Sequence, residues 1–353
     1  MPKTISALVS MALVLIAPSG VIAADNPLFG SNKPLALILE FPLKELLQQK
    51  KAKATVLGVL RYVDVDGNSV VLDVGVSTRG NSRLEQCRYP PLRINLKKKQ
   101  VKSTLFAGQN DLKLVTLCRD TGTYRRYLSQ EYTLYRAYNL VSDYSFRARM
   151  LEIIYRDPSG RQPKGALPAF FIESDNALAK RLGMTRIKSK VIVDSQLDVV
   201  QLSILTLFQF IIGNTDWSVH KGPGSEYCCH NGKVIGPPDS HAGWVVIPYD
   251  FDQSGLINTS YARPAESLPI KSVRQRWYRG FCSGNGQIEA TIAQFNNKRS
   301  ALEELFIDNP DGPSENKAAL EYLRSSFAIV NDPTKRQKQV VNRCRGNQGE
   351  APT

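Results

Sequence analysis

Histidine is scarce in this sequence, with three residues, His220, His230 and His241, in a chain of 353. No two of them have zinc-ligand spacing, and no serine sits in a nucleophile elbow. Histidine-zinc chemistry and serine-nucleophile hydrolysis are therefore set aside, and the three are read as bystanders. Beyond the first two dozen residues no apolar run is long enough to cross a bilayer. The strongest, Ile204 to Gly213, has the pattern of a core helix. Internal repeats, low-complexity segments and a glycine-rich phosphate loop are absent, as are RNA-recognition, zinc-finger and helix-turn-helix signatures. No specific nucleic-acid partner is expected.

What is present begins with an export signal. Lys3, the apolar run Ile5 to Ile16 and the small-residue end Val21-Ile22-Ala23 predict a signal peptide at 1–23, cleaved before Ala24. The chain is then expected in the periplasm or outside the cell, and not transmembrane after cleavage. A net charge of +14 favours anionic partners, such as an envelope polymer or phosphorylated ligands. Six cysteines in such a chain predict disulfides. Cys87 is assigned to Cys118, because both flank one strand-rich region, and Cys228 and Cys229 then take Cys282 and Cys344 in some order. A zinc site at Cys228-Cys229-His230 is disfavoured, since adjacent cysteines rarely share one structural zinc.

Patterning predicts strands over 55–63 and 69–78, joined by the turn Asp64-Val65-Asp66-Gly67-Asn68, and over 92–96 and 112–117. A helical period runs through 124–141, strands return at 147–155 and 166–173, and a short helix covers 175–182. A helix capped by Ser195 ends near Ile212, and the remainder beyond Gly255 reads as mainly helical, notably 286–306 and 316–331. This order predicts an α+β, two-lobed protein rather than a Rossmann or barrel fold. The expected division is a strand-rich first lobe at 24–173 and a mainly helical second lobe at 174–353.

Chemistry concentrates in Gly213-Asn214-Thr215-Asp216-Trp217, Cys228-Cys229-His230-Asn231 and Pro248-Tyr249-Asp250-Phe251-Asp252. Strand-like runs at 233–236 and 244–249 predict a hairpin centred near Asp239 and Ser240, which sets Asn231 opposite Pro248 to Asp250. The helix ending at Gly213 delivers Asp216 to the same place. Clustered oxygen donors suit Mg²⁺ or Mn²⁺ holding nucleotide phosphates, and a further Asp can orient a hydroxyl for in-line attack.

These runs, with Ser77 to Arg83, Pro91 to Lys98 and Ala166 to Gly183, resemble the CotH-like proteins, secreted atypical kinases with a protein-kinase-like fold. The resemblance covers 78–255. It implies a protein-kinase-like, two-lobed molecule that moves phosphate from ATP, with Mg²⁺ or Mn²⁺, to a hydroxyl on a protein or envelope molecule. Asp216 would be the catalytic aspartate, Asn231 an amide ligand to metal, and Asp250, Asp252 or both the metal-binding carboxylates. Asn231 lies fifteen residues beyond Asp216, farther than in protein kinases, so the loop 218–227 must bulge out; the alternative is that no Asn ligand exists. Where the family carries a phosphate-binding lysine this chain offers Arg88, with Arg79, Arg93 and Lys113 as other candidates and Glu131 as the acidic partner of whichever serves. The alternative function is a catalytically degenerate relative that binds envelope or coat material.

Overall fold

The computed structural model describes residues 26–346 apart from 161, 310 and 311. The expected signal peptide at 1–23 lies outside the described residues. In chain order the elements begin with β1 (Leu35–Glu40), α1 (Leu43–Gln48), β2 (Val56–Val63), β3 (Ser69–Thr78), α2 (Ser82–Gln86), β4 (Leu92–Leu96), α3 (Lys98–Val101) and β5 (Asp111–Thr116). They continue with α4 (Gly122–Val141), β6 (Ala148–Arg156), β7 (Leu167–Ile172), α5 (Asp175–Arg181), β8 (Thr185–Arg186) and α6 (Val199–Ile212). The last are β9 (Gly232–Gly236), β10 (Val245–Pro248), α7 (Ile288–Asn297), α8 (Arg299–Ile307), α9 (Gly312–Val330) and α10 (Pro333–Gln339).

The β2–β3 hairpin forms where its turn chemistry predicts. Asp64 Oδ1 accepts from the N–H groups of Asp66 (3.0 Å) and Asn68 (2.8 Å), Gly67 takes φ 85°, and Val63 pairs with Ser69. Along both strands alternate apolar residues, Leu60, Tyr62, Leu72, Val74 and Val76, are buried. The sheet then closes on itself in the order β1-β2-β3-β4-β5-β7-β6. The closing pair is parallel, running from Leu35 opposite Leu151 to Glu40 opposite Arg156, and every other pair in the barrel is antiparallel.

Closure overturns the expected two-lobed, protein-kinase-like architecture. A first lobe of that kind would be an open sheet set apart from a helical lobe, whereas this barrel's apolar residues and those of the helices form one core. That core runs from Leu28 to Val340 and includes Leu39, Leu60 and Val76 of the barrel, Tyr135 of α4, Phe208 and Phe210 of α6, and Phe327 of α9. A second, three-stranded sheet, β10-β9-β8, covers a smaller cluster around Trp217, Val234, Trp244 and Phe281.

Particular side chains set the helix ends. Helix α6 is capped by Asp198, which accepts from Gln201 N–H at 2.9 Å, and not by Ser195, which sits in a short 3₁₀ turn just upstream. The helix stops at Gly213 with φ 66°, where a Cβ would stand 2.0 Å from Tyr322 Oη, so only glycine fits. The expected helix over 286–306 is broken at Lys298 into α7 and α8. No helix among the described residues is long and apolar enough to cross a membrane.

Cys87 pairs with Cys118, as expected, and bridges the chain before β4 to the end of β5. The remaining assignment is corrected. Cys228 pairs with its neighbour Cys229, and Cys282 with Cys344. The reason is a backbone pairing of Phe281 with Arg345, in which Cys282 N–H donates to Arg345 O at 2.9 Å and sets Cys282 beside Cys344. Disulfides fit an oxidising compartment, and hence an exported protein.

Candidate functional site

A cleft of about 430 Å³ opens between one end of the barrel and the small sheet. One wall comes from the turn after β3 (Arg79 to Asn81) and Ser82 at the start of α2, from Arg93 of β4 and from Lys113 of β5. The other comes from Arg186, Lys233 and the loop that holds Asp216, with Asn231, Tyr249 and Asp250 among its lining residues.

The hairpin register brings the acidic end together. Pro248 pairs with Gly232, and Tyr249 N–H donates to Asn231 O at 3.1 Å, so Asn231 lies opposite Tyr249 and beside Asp250. Both flanking residues adopt left-handed backbone, Asn231 at φ 49° and Asp250 at φ 65°. Asn and Asp tolerate that region best among residues with a Cβ. Asp216 follows the end of α6, and its N–H is held by Asn214 Oδ1 at 3.0 Å. Asn231 Nδ2 donates to Asp216 Oδ2 at 2.9 Å and to its backbone oxygen at 2.7 Å, and His230 Nε2 lies 2.6 Å from Oδ1. The hydrogen bond that His230 donates to Asp216 raises the His230 pKa, against its burial. A carboxylate held at both oxygens is fixed in direction, and this one keeps an exposure of 35% toward the cleft.

Behind Asp250 lies a buried knot on Arg83. Its Nε donates to Asp252 Oδ2 at 2.7 Å, and its Nη2 reaches Glu131 Oε2 at 2.8 Å and Asp250 Oδ1 at 3.2 Å. One guanidinium faces three carboxylates, so negative charge is in surplus. Burial pushes Glu131 up to about 8, with Asp252 and Asp250 adding and Arg83 opposing, and Glu131 Oε1 is buried without a partner. Asp250 is raised too, by burial and then by Asp252.

At the other end the surplus is positive. Lys113 is buried and ion-paired with Asp175, which also lies 3.5 Å from Arg186. Lys113 Nζ stands 5.7 Å and Lys233 Nζ 5.4 Å from the centre of the Tyr249 ring. Arg79 carries a buried Nε with no hydrogen-bond partner. Burial lowers the Lys113 pKa against the pull of Asp175, and Arg79 and Lys233 lower it further, so these cations crowd one another. Lys113 and Arg186 thus share Asp175, with Lys233 close by, while Arg79 acts on Asp250.

Of the residues singled out in the sequence, Asp216, Asn231, Asp250, Arg79, Arg93 and Lys113 all line the cleft. Arg93 is partly neutralised there by Asp111 at 2.9 Å. Asp252 and Glu131 sit behind the cleft on Arg83. Arg88 is elsewhere: it is exposed, with its guanidinium 5.4 Å from the Tyr89 ring. The loop 218–227 does bulge out, and Pro223, Glu226 and Tyr227 form a rim of the cleft. His230 is no bystander, because it holds Asp216; His220 instead packs against Phe281, with Nδ1 2.8 Å from Ile192 O. Sequence reasoning missed Arg83, Asp175 and Lys233. Arg83 closes the Ser77 to Arg83 run that carries part of the CotH-like resemblance, and Asp175 follows Ser174, the residue that caps α5.

Among the described residues no group of three His, Cys, Asp or Glu side chains is spaced to hold a metal ion. Asp250 and Asn231 are adjacent oxygen donors on the cleft wall, and Asp250 shares the single charge of Arg83 with Glu131 and Asp252. Mg²⁺ typically takes one or two carboxylates and completes its shell with phosphate oxygens and water. The pair would offer such a cation one carboxylate, shared with Arg83, and one amide oxygen, whereas Asp252 is buried on Arg83 at 2.7 Å.

No family model matches the chain, and no curated protein matches it either. The likeness to CotH-like proteins therefore rests on the short runs quoted above.

Proposed function

We propose that the cleft is a phosphotransfer site, taking phosphate from a phosphoanhydride donor, with ATP the first to test, and passing it to a hydroxyl on a protein or envelope molecule. The observation that carries this reading is the polarity of the cleft. A fixed carboxylate, Asp216, faces the same space as the under-neutralised cations Arg79, Lys113, Arg186 and Lys233. The cations hold and neutralise the transferring phosphate, and Arg suits it especially well through paired N–H donors. Asp216 accepts the proton of the attacking hydroxyl. Asn231 and His230 keep its carboxylate aimed, and Arg83 steadies Asp250 from behind. A divalent cation held by Asp250 and Asn231 would supply further neutralisation of phosphate charge. The leader-like start and the disulfides support export as the setting, and the CotH-like runs support the reaction class.

The test is transfer of labelled phosphate from ATP by oxidised protein with Mg²⁺ or Mn²⁺, scored on itself and on an acceptor mixture. Asp216→Ala should lose transfer by a factor on the order of 10²–10⁴, the usual worth of a positioned base. Asp250→Ala should lose its metal dependence as well as its rate. Absence of transfer, together with absence of any nucleotide-induced thermal shift, would sink the reading. A second reading, an envelope-binding protein that holds an anionic polymer without turnover, draws on the same cleft cations. It predicts binding that survives Asp216→Asn and weakens steeply with salt.

A further inference from the structure

The phosphotransfer reading leaves open which part of the donor the protein recognises. A purine is ordinarily held between apolar faces, with its edge read by a few polar groups. Among the described residues the cleft lining has no Leu, Ile, Val, Met or Phe side chain. It does have rings, but they are engaged or peripheral. The Tyr249 ring already has the Lys113 and Lys233 ammonium groups within 5.7 Å and 5.4 Å of its centre. His230 is bonded to Asp216, and Tyr227 is 57% exposed at the rim.

What the cleft does supply is cationic groups on both walls. Arg93 and Lys113 are cross-strand partners on β4 and β5, and Arg79 follows the end of β3. Facing them are Arg186 on β8 and Lys233 on β9, and Lys53 adds a sixth cation to the lining. Five carboxylates, Asp111, Asp175, Asp216, Glu226 and Asp250, line the same cleft; Asp111 and Asp175 pair with these cations, which leaves the six cations one charge in excess. A chain of linked phosphates carries its negative charge at regular short intervals and needs no apolar contact, which matches this distribution.

Resting on the phosphotransfer reading, we propose that the donor is recognised through its condensed-phosphate chain alone, so that inorganic polyphosphate serves as well as a nucleoside triphosphate. In the transfer step the acceptor oxygen forms a bond to the terminal phosphorus as the anhydride P–O bond breaks. The electron pair leaves on the shortened phosphate chain, and the hydroxyl proton passes to Asp216. No oxidant or further reactant is needed.

The experiment measures binding to the full, oxidised chain by calorimetry in excess Mg²⁺, with sodium tripolyphosphate, ATP, UTP and adenosine as separate titrants. Tripolyphosphate, ATP and UTP are expected to agree within about threefold, and adenosine is expected not to bind. Lys233→Ala and Arg186→Ala, both at the cleft surface, should weaken all three phosphates alike, by about tenfold each. Labelled tripolyphosphate should also phosphorylate whatever acceptor ATP does. If ATP binds more than about tenfold tighter than both UTP and tripolyphosphate, or if adenosine binds, this inference falls while phosphotransfer stands. If none of the three phosphates binds, both fall together.

Discussion

Glu131 is buried, and one Arg83 charge shared with Asp252 and Asp250 does not offset that burial, so its carboxyl holds its proton to higher pH. Its pKa rises from the ordinary 4.5 to about 8, so between those values the folded chain binds a proton that the unfolded chain has released. Stability therefore falls as pH rises through that window, with a slope of up to about 1.4 kcal/mol per pH unit. Glu131→Gln keeps the neutral shape and removes the titration. Urea denaturation from pH 5 to 9 should show a flatter profile for the variant and a relative gain above pH 8. Identical slopes in the two proteins would mean that Glu131 is ionised throughout. This knot could not be read in the sequence, because Arg83 is 48 positions from Glu131 and 167 from Asp250. No local pattern specifies a contact at such range; only barrel closure and the path of α4 bring the three together.

At the level of elements, the hairpin that carries the site was legible because side-chain alternation and turn residues set its register together. The expected centre near Asp239 and Ser240 sets Asn231 opposite Pro248 to Asp250, and the structure pairs it with Tyr249. The end of α6 was equally legible, since Gly213 is the residue that a left-handed cap requires. Its replacement also makes a sharp prediction. Gly213→Ala puts a Cβ at φ 66° and 2.0 Å from Tyr322 Oη, and should cost at least about 1–3 kcal/mol. Because Asp216 follows three residues later, phosphate transfer should fall further than the loss of folded protein explains. A variant matching the parent in both melting temperature and activity would show that this turn does not set Asp216. The assignment of the four later cysteines failed at the same scale, while Cys87–Cys118 held. Cys282 and Cys344 meet through a single bridge between distant loops, at Phe281 and Arg345, and isolated bridges leave no periodic trace.

Strands β2 to β7 were found near their places, but β1, which closes the barrel, was not singled out, and the architecture came out differently. A strand that closes a barrel has the same alternation as one at the edge of an open sheet. What decides between them is the parallel pairing of β1 with β6, which periodicity does not encode. Closure has a consequence for the whole molecule. Phe170 of β7 packs on Tyr135 of α4 at 5.6 Å, Tyr135 packs on Phe251 at 4.9 Å, and Phe251 packs on Phe208 of α6 at 5.7 Å. Barrel, long helix and second-half helices are thus joined through the residue that separates Asp250 from Asp252. A molecule built this way should unfold as one unit, with helical circular dichroism and tyrosine fluorescence tracing the same curve. Phe251→Ala, at a fully buried position, should lower stability by about 3–5 kcal/mol and shift both probes equally. Two separated transitions, with only the later-chain helices responding to Phe251→Ala, would mean that barrel and helices are independent units. In that case the aromatic chain through Tyr135 would be mere contact. A shared shift, with the metal dependence of transfer weakened beyond the stability loss, would tie the setting of Asp250 to the core that barrel closure creates.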